Sequence, residues 1–100
     1  MAYNPKPLSL TTTAQTLTAA HGFSAKKTIR KWDIIHASGT ATAWHGPSTV
    51  DNTGANAGGK FTASIGYSII DRSMPNTAVT TDDIYVVADA SCTALSTVID

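Results

Sequence analysis

The sequence predicts an all-β domain, and three features of its composition carry that prediction. There is no glutamate, a single glutamine (Gln15) and only four leucines, against sixteen threonines and eight isoleucines. The residues that build solvent-facing helix surfaces are therefore scarce, and those that suit a pleated, half-buried surface abound. Short runs of alternating or apolar residues, separated by glycine, proline and asparagine, complete the pattern. The expected architecture is a small antiparallel β-sandwich or jelly-roll-like barrel, with residues 1–10 as an extended N-terminal arm and 11–100 as one domain.

The elements follow in order. Residues 1–7 carry Pro5 and Pro7 around Lys6, which favours an extended, polyproline-like segment with few hydrogen bonds of its own. It reads either as a frayed terminus or as an arm reaching a neighbouring subunit, with Tyr3 as its anchor. Leu8–Thr13 alternates as a strand and Thr16–Ala19 reads as a second short one. His21-Gly22-Phe23-Ser24 is a turn. Residues 28–36 (TIRKWDIIH) form the clearest internal strand, with Trp32 and Ile34 on its core side. Ser38-Gly39 reads as a tight turn into Thr40–Trp44, making a hairpin.

The stretch from His45 to Gly59 holds four of the seven glycines, with a proline and two asparagines. That is loop chemistry, with a short strand expected at Ser48–Val50. Its small residues suit either a flexible tip or a loop lying flat against a partner. Phe61–Ile70 resumes strand patterning, with Gly66 marking a bulge or a close backbone approach. Arg72–Asp83 is a connector. Asp83–Asp89 is apolar on both faces and so reads as a central strand, and Ala90-Ser91 turns it into the last strand, Cys92–Ile99. About seven short strands result.

Fifteen of the hydrophobic residues are alanine, leaving 27 larger apolar side chains, a thin core for 100 residues. Contacts between subunits supplement such a core, because whatever binds only the folded state stabilises it. Charged residues are 14% of the chain, so little charge must be desolvated when the surface meets a partner. The net charge is zero but divided, with +4 in residues 1–50 and −4 in residues 51–100. No broad basic face of the kind that binds nucleic acid is present. The opening Met-Ala-Tyr-Asn-Pro-Lys-Pro lacks the apolar core of a signal peptide, and the apolar runs are too short for a membrane span.

No cluster of residues names a reaction. His36 and His45 flank the second hairpin strand near Asp33 and Asp51, short of the three or four converging ligands a metal needs. Asp82 and Asp83 are neighbours on a strand and point to opposite faces, so they cannot flank one glycosidic bond. Serine, histidine and aspartate are available without a nucleophile elbow, and Gly58-Gly59-Lys60 lacks the rest of a phosphate loop. Cys92 has no partner for an internal disulfide and reads as a small buried thiol. The expectation is a chain with no catalytic, metal or cofactor residues. Trp32 belongs in the core, while Trp44, at a strand end, suits an interface anchor.

Taken together, Leu17-Thr18-Ala19, Ile34–Trp44, the loop from Gly46 to Gly59, and the D-I-Y-V-V-A strand at Asp83–Ala88 running into Cys92–Ile99 resemble small virion proteins of tailed bacteriophages. The similarity spans roughly residues 16–99 and is one of pattern and composition. It implies a capsid decoration, or cement, protein on the outside of a phage head, made in the host cytoplasm. The implied partners are the major capsid protein and other copies of the chain, a homotrimer above all. It supplies no catalytic residue. The expected contacts are Tyr3, Pro5, Lys6 and Pro7 in the arm, and Trp44, His45, Val50 and Asn52 in the loop. A carbohydrate- or receptor-binding module on a tail or fibre is the alternative, and a small hydrolase a third and weaker one.

Overall fold

A computed structural model describes residues 3–62, 66–70 and 79–100 of the chain. The described residues form eight strands and one helical turn: β1 (Tyr3–Leu10), β2 (Gln15–Thr16), α1 (Leu17–His21), β3 (Lys31–Ser38), β4 (Ala43–Gly46), β5 (Gly59–Phe61), β6 (Gly66–Ile70), β7 (Tyr85–Ala88) and β8 (Cys92–Ile99). They build two antiparallel four-stranded sheets, ordered β1-β8-β3-β6 and β2-β7-β4-β5. Each successive pair in the chain (β1 and β2, β3 and β4, β5 and β6, β7 and β8) puts one strand in each sheet. This is the connectivity of an eight-stranded jelly roll.

One core lies between the sheets. The first sheet contributes Leu8, Leu10, Trp32, Ile34, Cys92, Ala94 and Val98, and the second contributes Ala43, Phe61, Val86 and Ala88. Alternation selects these residues. On β8, Cys92, Ala94, Ser96 and Val98 are buried while Thr93, Leu95, Thr97 and Ile99 turn outward. β3 obeys the same rule, with Trp32, Ile34 and His36 inside, as its sequence predicts.

Several expectations are corrected. Residues 3–10 are not a free arm: they form β1, paired in continuous register with β8 of the same chain, from Tyr3 opposite Ile99 to Leu10 opposite Cys92. Leu8 and Leu10 explain why, since both are core residues and drag the segment onto the sheet. The two prolines are tolerated because β1 is an edge strand, where a residue without an N–H leaves no ladder bond unmade. Of Thr16–Ala19 only Thr16 lies in a strand, the two-residue β2, and Leu17–Ala19 are helical. Thr16 caps a helical turn, its hydroxyl accepting from the Ala19 N–H at 3.1 Å, and Gly22 ends it in the left-handed conformation (φ 73°). Threonine favours strands and N-caps alike, and a four-residue run is too short for alternation to decide between them.

Thr40–Trp44 does not form a hairpin with the preceding strand either. β3 and β4 lie in different sheets, and Ser38–Thr42 carries the chain across the rim of the core, after a bulge between His36 and Ser38. Ala90-Ser91 makes the reverse crossing from β7 to β8. The two crossings are tied together. Thr42 O accepts from the Asp89 N–H at 3.0 Å, and the Asp89 carboxylate accepts from the Thr42 N–H at 3.0 Å. Gly39 (φ 93°) passes so close that a Cβ there would stand 3.2 Å from Cys92 Cβ. The connector expected at Arg72–Asp83 lies mostly outside the described residues.

Three of the four described sheet edges are blunted. β2 and β5 are two and three residues long, and β1 carries Pro5 and Pro7. Replacing both prolines by threonine is expected to restore edge N–H donors and to turn a monodisperse protein into concentration-dependent oligomers, measured by light scattering coupled to size-exclusion chromatography.

Candidate functional site

The two sheets differ in what covers their outer faces. On β7, Val86 and Ala88 point into the core, so Tyr85 and Val87 point outward; yet Val87 is fully buried. Val87 stands opposite Trp44, and the Trp44 indole lies against Gly54 of the following loop, where an added Cβ would sit 2.6 Å from Nε1. Val50 of that loop is also buried, and neither it nor Val87 belongs to the main core. The loop from Pro47 to Gly58 is thus folded onto the outside of the second sheet. This is why Asp83–Asp89 reads as apolar on both faces.

The loop is held by its own polar groups. The Asp51 carboxylate accepts from the Thr53 N–H (2.9 Å), the Thr53 hydroxyl (2.6 Å) and the Ala55 N–H (3.2 Å). These bonds, led by the Thr53 hydroxyl, hold its pKa below the usual carboxylate range. Asn56 Nδ2 donates to Thr49 O at 3.2 Å, and Gly58 N–H donates to His45 O at 2.8 Å. No strand forms at Ser48–Val50. Of the loop residues expected to meet a partner, His45 and Val50 are buried, Trp44 is half-buried beneath Gly54, and Asn52 is exposed. The first two are turned away from solvent, and the loop uses its small residues to cover its own sheet.

The first sheet has no such cover among the described residues. Pro7, Leu95, Ile35 and Gly66 stand side by side across its four strands. Ile35 and Leu95 are 44% and 51% exposed, and no other described large hydrophobic side chain is as open. Pro5, Pro7 and Ala37 are exposed on the same face. Its charges cancel, since Lys31 and Asp33 on β3 form an ion pair at 3.5 Å. The arm residues therefore enter this surface differently from the expectation: Pro5 and Pro7 lie in the face, whereas Lys6 turns the other way and donates from Nζ to His21 O at 3.0 Å. Tyr3 is the first residue of β1, opposite Ile99.

Directly beneath this face, on the inner side of β8, lies a buried polar knot. Ser96 Oγ accepts from Trp32 Nε1–H at 2.8 Å and is 2.7 Å from His21 Nε2. His21 stacks on Phe23 (ring centroids 4.9 Å apart), Lys27 Nζ sits 5.1 Å over that ring, and Trp32 meets His45 edge-on at 5.3 Å. A serine hydroxyl within reach of an imidazole is the beginning of a nucleophile–base pair. Here Ser96 is 1% exposed and one of its lone pairs is taken by the indole, so the pair works as an internal fastening. Sequence reading assigned Trp32 to the core but missed Ser96 and His21. The inward position of Ser96 in the alternation of β8 was the available signal, because a buried hydroxyl demands partners.

Cys92 is buried near a cleft of about 310 Å³ formed by Ser9, Leu10, Thr11, Ser38, Gly39, Ser91 and Thr93. Burial, and then Asp89, push its thiol pKa up, which makes it a weak nucleophile. Asp82 accepts from the Thr18 hydroxyl and Asp83 from Thr80, so the paired carboxylates brace two separate turns. Among the described residues no group of three or more histidine, cysteine or acidic side chains is placed to hold a metal, and no helix is long and apolar enough to cross a membrane. No protein family, curated protein or solved structure matches this chain.

Two outcomes follow from this geometry. Gly54→Ala, at φ 83° and against the indole, is expected to cost about 2 kcal/mol in urea unfolding. Burial, aided by the Lys6 ammonium, lowers the His21 pKa to about 4, and burial lowers that of His45 too. The unfolded chain takes up these protons near the ordinary value of 6.5. Stability is therefore full above that pH and declines as pH falls towards 4. His21 contributes about 1.4 kcal/mol per pH unit and roughly 3 kcal/mol in all. Urea midpoints at pH 7.5 and 4.5 measure this, and His21→Gln is expected to flatten the difference.

Proposed function

We propose that the chain is a virion structural protein, a decoration protein that binds the outer surface of a phage head and stabilises contacts between major capsid subunits. The carrying observation is the bare outer face of the first sheet, where Pro7, Leu95 and Ile35 form an apolar row with no net charge around it. Exposed apolar pairs at the centre of a sheet mark interaction surfaces. The occupant proposed for this face is the major capsid protein, because a flat, neutral sheet suits a repeated lattice surface at little desolvation cost. Many modest contacts multiplied by symmetry would hold such a protein in place.

Three further features support this reading. The jelly-roll connectivity recurs in viral capsid domains, which supports the proposal by analogy of fold. The second sheet is closed by its own loop, whereas no described residue covers the outer face of the first. The three blunted edges, β1, β2 and β5, favour association through faces over edge-to-edge pairing there. Trimers remain the proposed oligomer, with the virion as the proposed location. The tail or fibre sugar-binding alternative has less to draw on, since Trp32 is buried and Trp44, Phe23 and Tyr85 are each partly covered.

Leu95→Lys and Ile35→Lys, made singly, test the reading. Each position is exposed, so folding is expected to change by no more than about 0.5 kcal/mol. Occupancy on purified heads, titrated by quantitative mass spectrometry, is expected to require at least tenfold more protein. Unchanged binding by both folded variants, or absence of the wild-type chain from particles, would sink the proposal.

A further inference from the structure

The Ser96 hydroxyl carries one proton and two lone pairs. The Trp32 indole N–H only donates, so it occupies one lone pair. Ser96 has no other acceptor among the described partners than His21 Nε2. The hydroxyl proton must then point at Nε2, which fixes His21 as the neutral tautomer protonated on Nδ1. The order runs from indole to hydroxyl to imidazole, and each group uses the only arrangement that satisfies all three.

Protonating Nε2 inverts the last link. An imidazolium only donates, so Ser96 would have to accept from both neighbours and its own proton would be left without a partner in the core. The charged groups around His21 make the inversion worse. From β1 comes the Lys6 ammonium, bonded to the His21 carbonyl; β2 brings only Gln15 and Thr16; β3 and β8 bring Trp32 and Ser96. Asp82 and Asp83, in the adjoining turn, are engaged with Thr18 and Thr80. Lys27 lies beyond Phe23, on the ring that stacks against His21. Lys6 acts against an imidazolium, while Lys27 is paired with Asp100 at 3.6 Å.

What the knot holds is local. α1 is five residues long, too short to persist without tertiary contacts. Its hydrogen bonds to the rest of the chain are the His21–Ser96 bond, the Lys6 bond, the backbone bonds from Leu17 and Thr18 to Ile84 and Thr81, and the side-chain bonds of Thr18 to Thr81 and Asp82, while Leu17 at its start is buried in the core. The β1–β8–β3 ladder does not run through any of them.

We infer that the Trp32–Ser96–His21 chain is an acid-released latch: at neutral pH it seats the end of α1 and Phe23 on the core, and in mild acid the His21 end lets go while the sheets stay paired. The inference is independent of the proposed capsid role. Acid favours the open form, because moving the His21 pKa from about 4 in the closed form to the ordinary 6.5 shifts the opening equilibrium by roughly 300-fold across that range.

Amide and indole NMR of the ¹⁵N-labelled chain between pH 7.5 and 4 tests this. The expected result is that the Trp32 Nε1–H resonance shifts and that Ala20, His21 and Phe23 amides lose protection, corrected for intrinsic exchange, at a higher pH than β3 and β8 amides. Lys6→Met removes the cation that disfavours a closed imidazolium, so it is expected to bring the closed-form His21 pKa nearer 6.5 and to shrink the pH-dependent part of the opening. Ser96→Ala is expected to leave these amides poorly protected already at pH 7.5. His21→Leu provides an untitratable side chain of similar bulk and is expected to abolish the early loss. Simultaneous loss of protection in α1, β3 and β8, or an unaltered early loss in His21→Leu or Ser96→Ala, would overturn the latch.

Discussion

The register of β8 is the constraint on which the rest of the structure depends. The strand lies between β1 and β3, and its two sets of side chains have opposite duties. Cys92, Ala94, Ser96 and Val98 face the core, and Thr93, Leu95, Thr97 and Ile99 face out. A slip of one residue would carry Leu95 inside and expel Ser96, removing the apolar row from the outer face and the only acceptor of the Trp32 indole proton together. The small residues among the inward set are equally specific: Ala94 and Ser96 leave room for Trp32 and His21, the large rings that fill the interior beside them. The outer surface and the buried knot are thus two consequences of one alternation.

Much of this alternation was legible in the chain. The inward face of β3 and the two-sided burial of β7 follow from period-2 patterning, because burial is decided residue by residue along a strand. Connectivity was not legible in the same way. Ser38-Gly39 and Ala90-Ser91 look like hairpin turns, but each passes the chain from one sheet to the other. Short turn signals specify a change of direction without naming the sheet that receives the next strand. What distinguishes the crossings is long-range: Thr42 and Asp89 exchange hydrogen bonds, and Gly39 lies against Cys92, over sequence separations that local patterns do not encode.

The N-terminal segment and the glycine-rich loop show a different limit. Two prolines suggested an arm, yet Leu8 and Leu10 outweigh them, since burying two leucines stabilises a strand by several kcal/mol while an edge position makes the missing N–H groups harmless. Composition likewise identified 45–59 as a loop without revealing what it covers. Gly54 is there because the indole of Trp44 leaves no space for a side chain, and Asp51 is there to gather donors from Thr53 and Ala55. A loop with that many internal bonds is a lid on its own sheet, and the exposed apolar row of Ile35 and Leu95 lies on the other sheet.

Placing the open face on the first sheet brings it within one strand thickness of the polar knot. Leu95 and Ser96 are adjacent residues on β8, one directed outward and the other at His21. Loss of the Ser96–His21 bond removes a contact from the inner side of the strand without touching its ladder to β1 and β3. The outward side chains are held by their cross-strand neighbours, and losing one bond beneath β8 leaves Cys92, Ala94 and Val98 in the core to keep its register. The apolar row should therefore outlast the release of α1. A surface that persists in acid and a latch that does not are separable properties of this fold, and the alternation of a single strand keeps them apart.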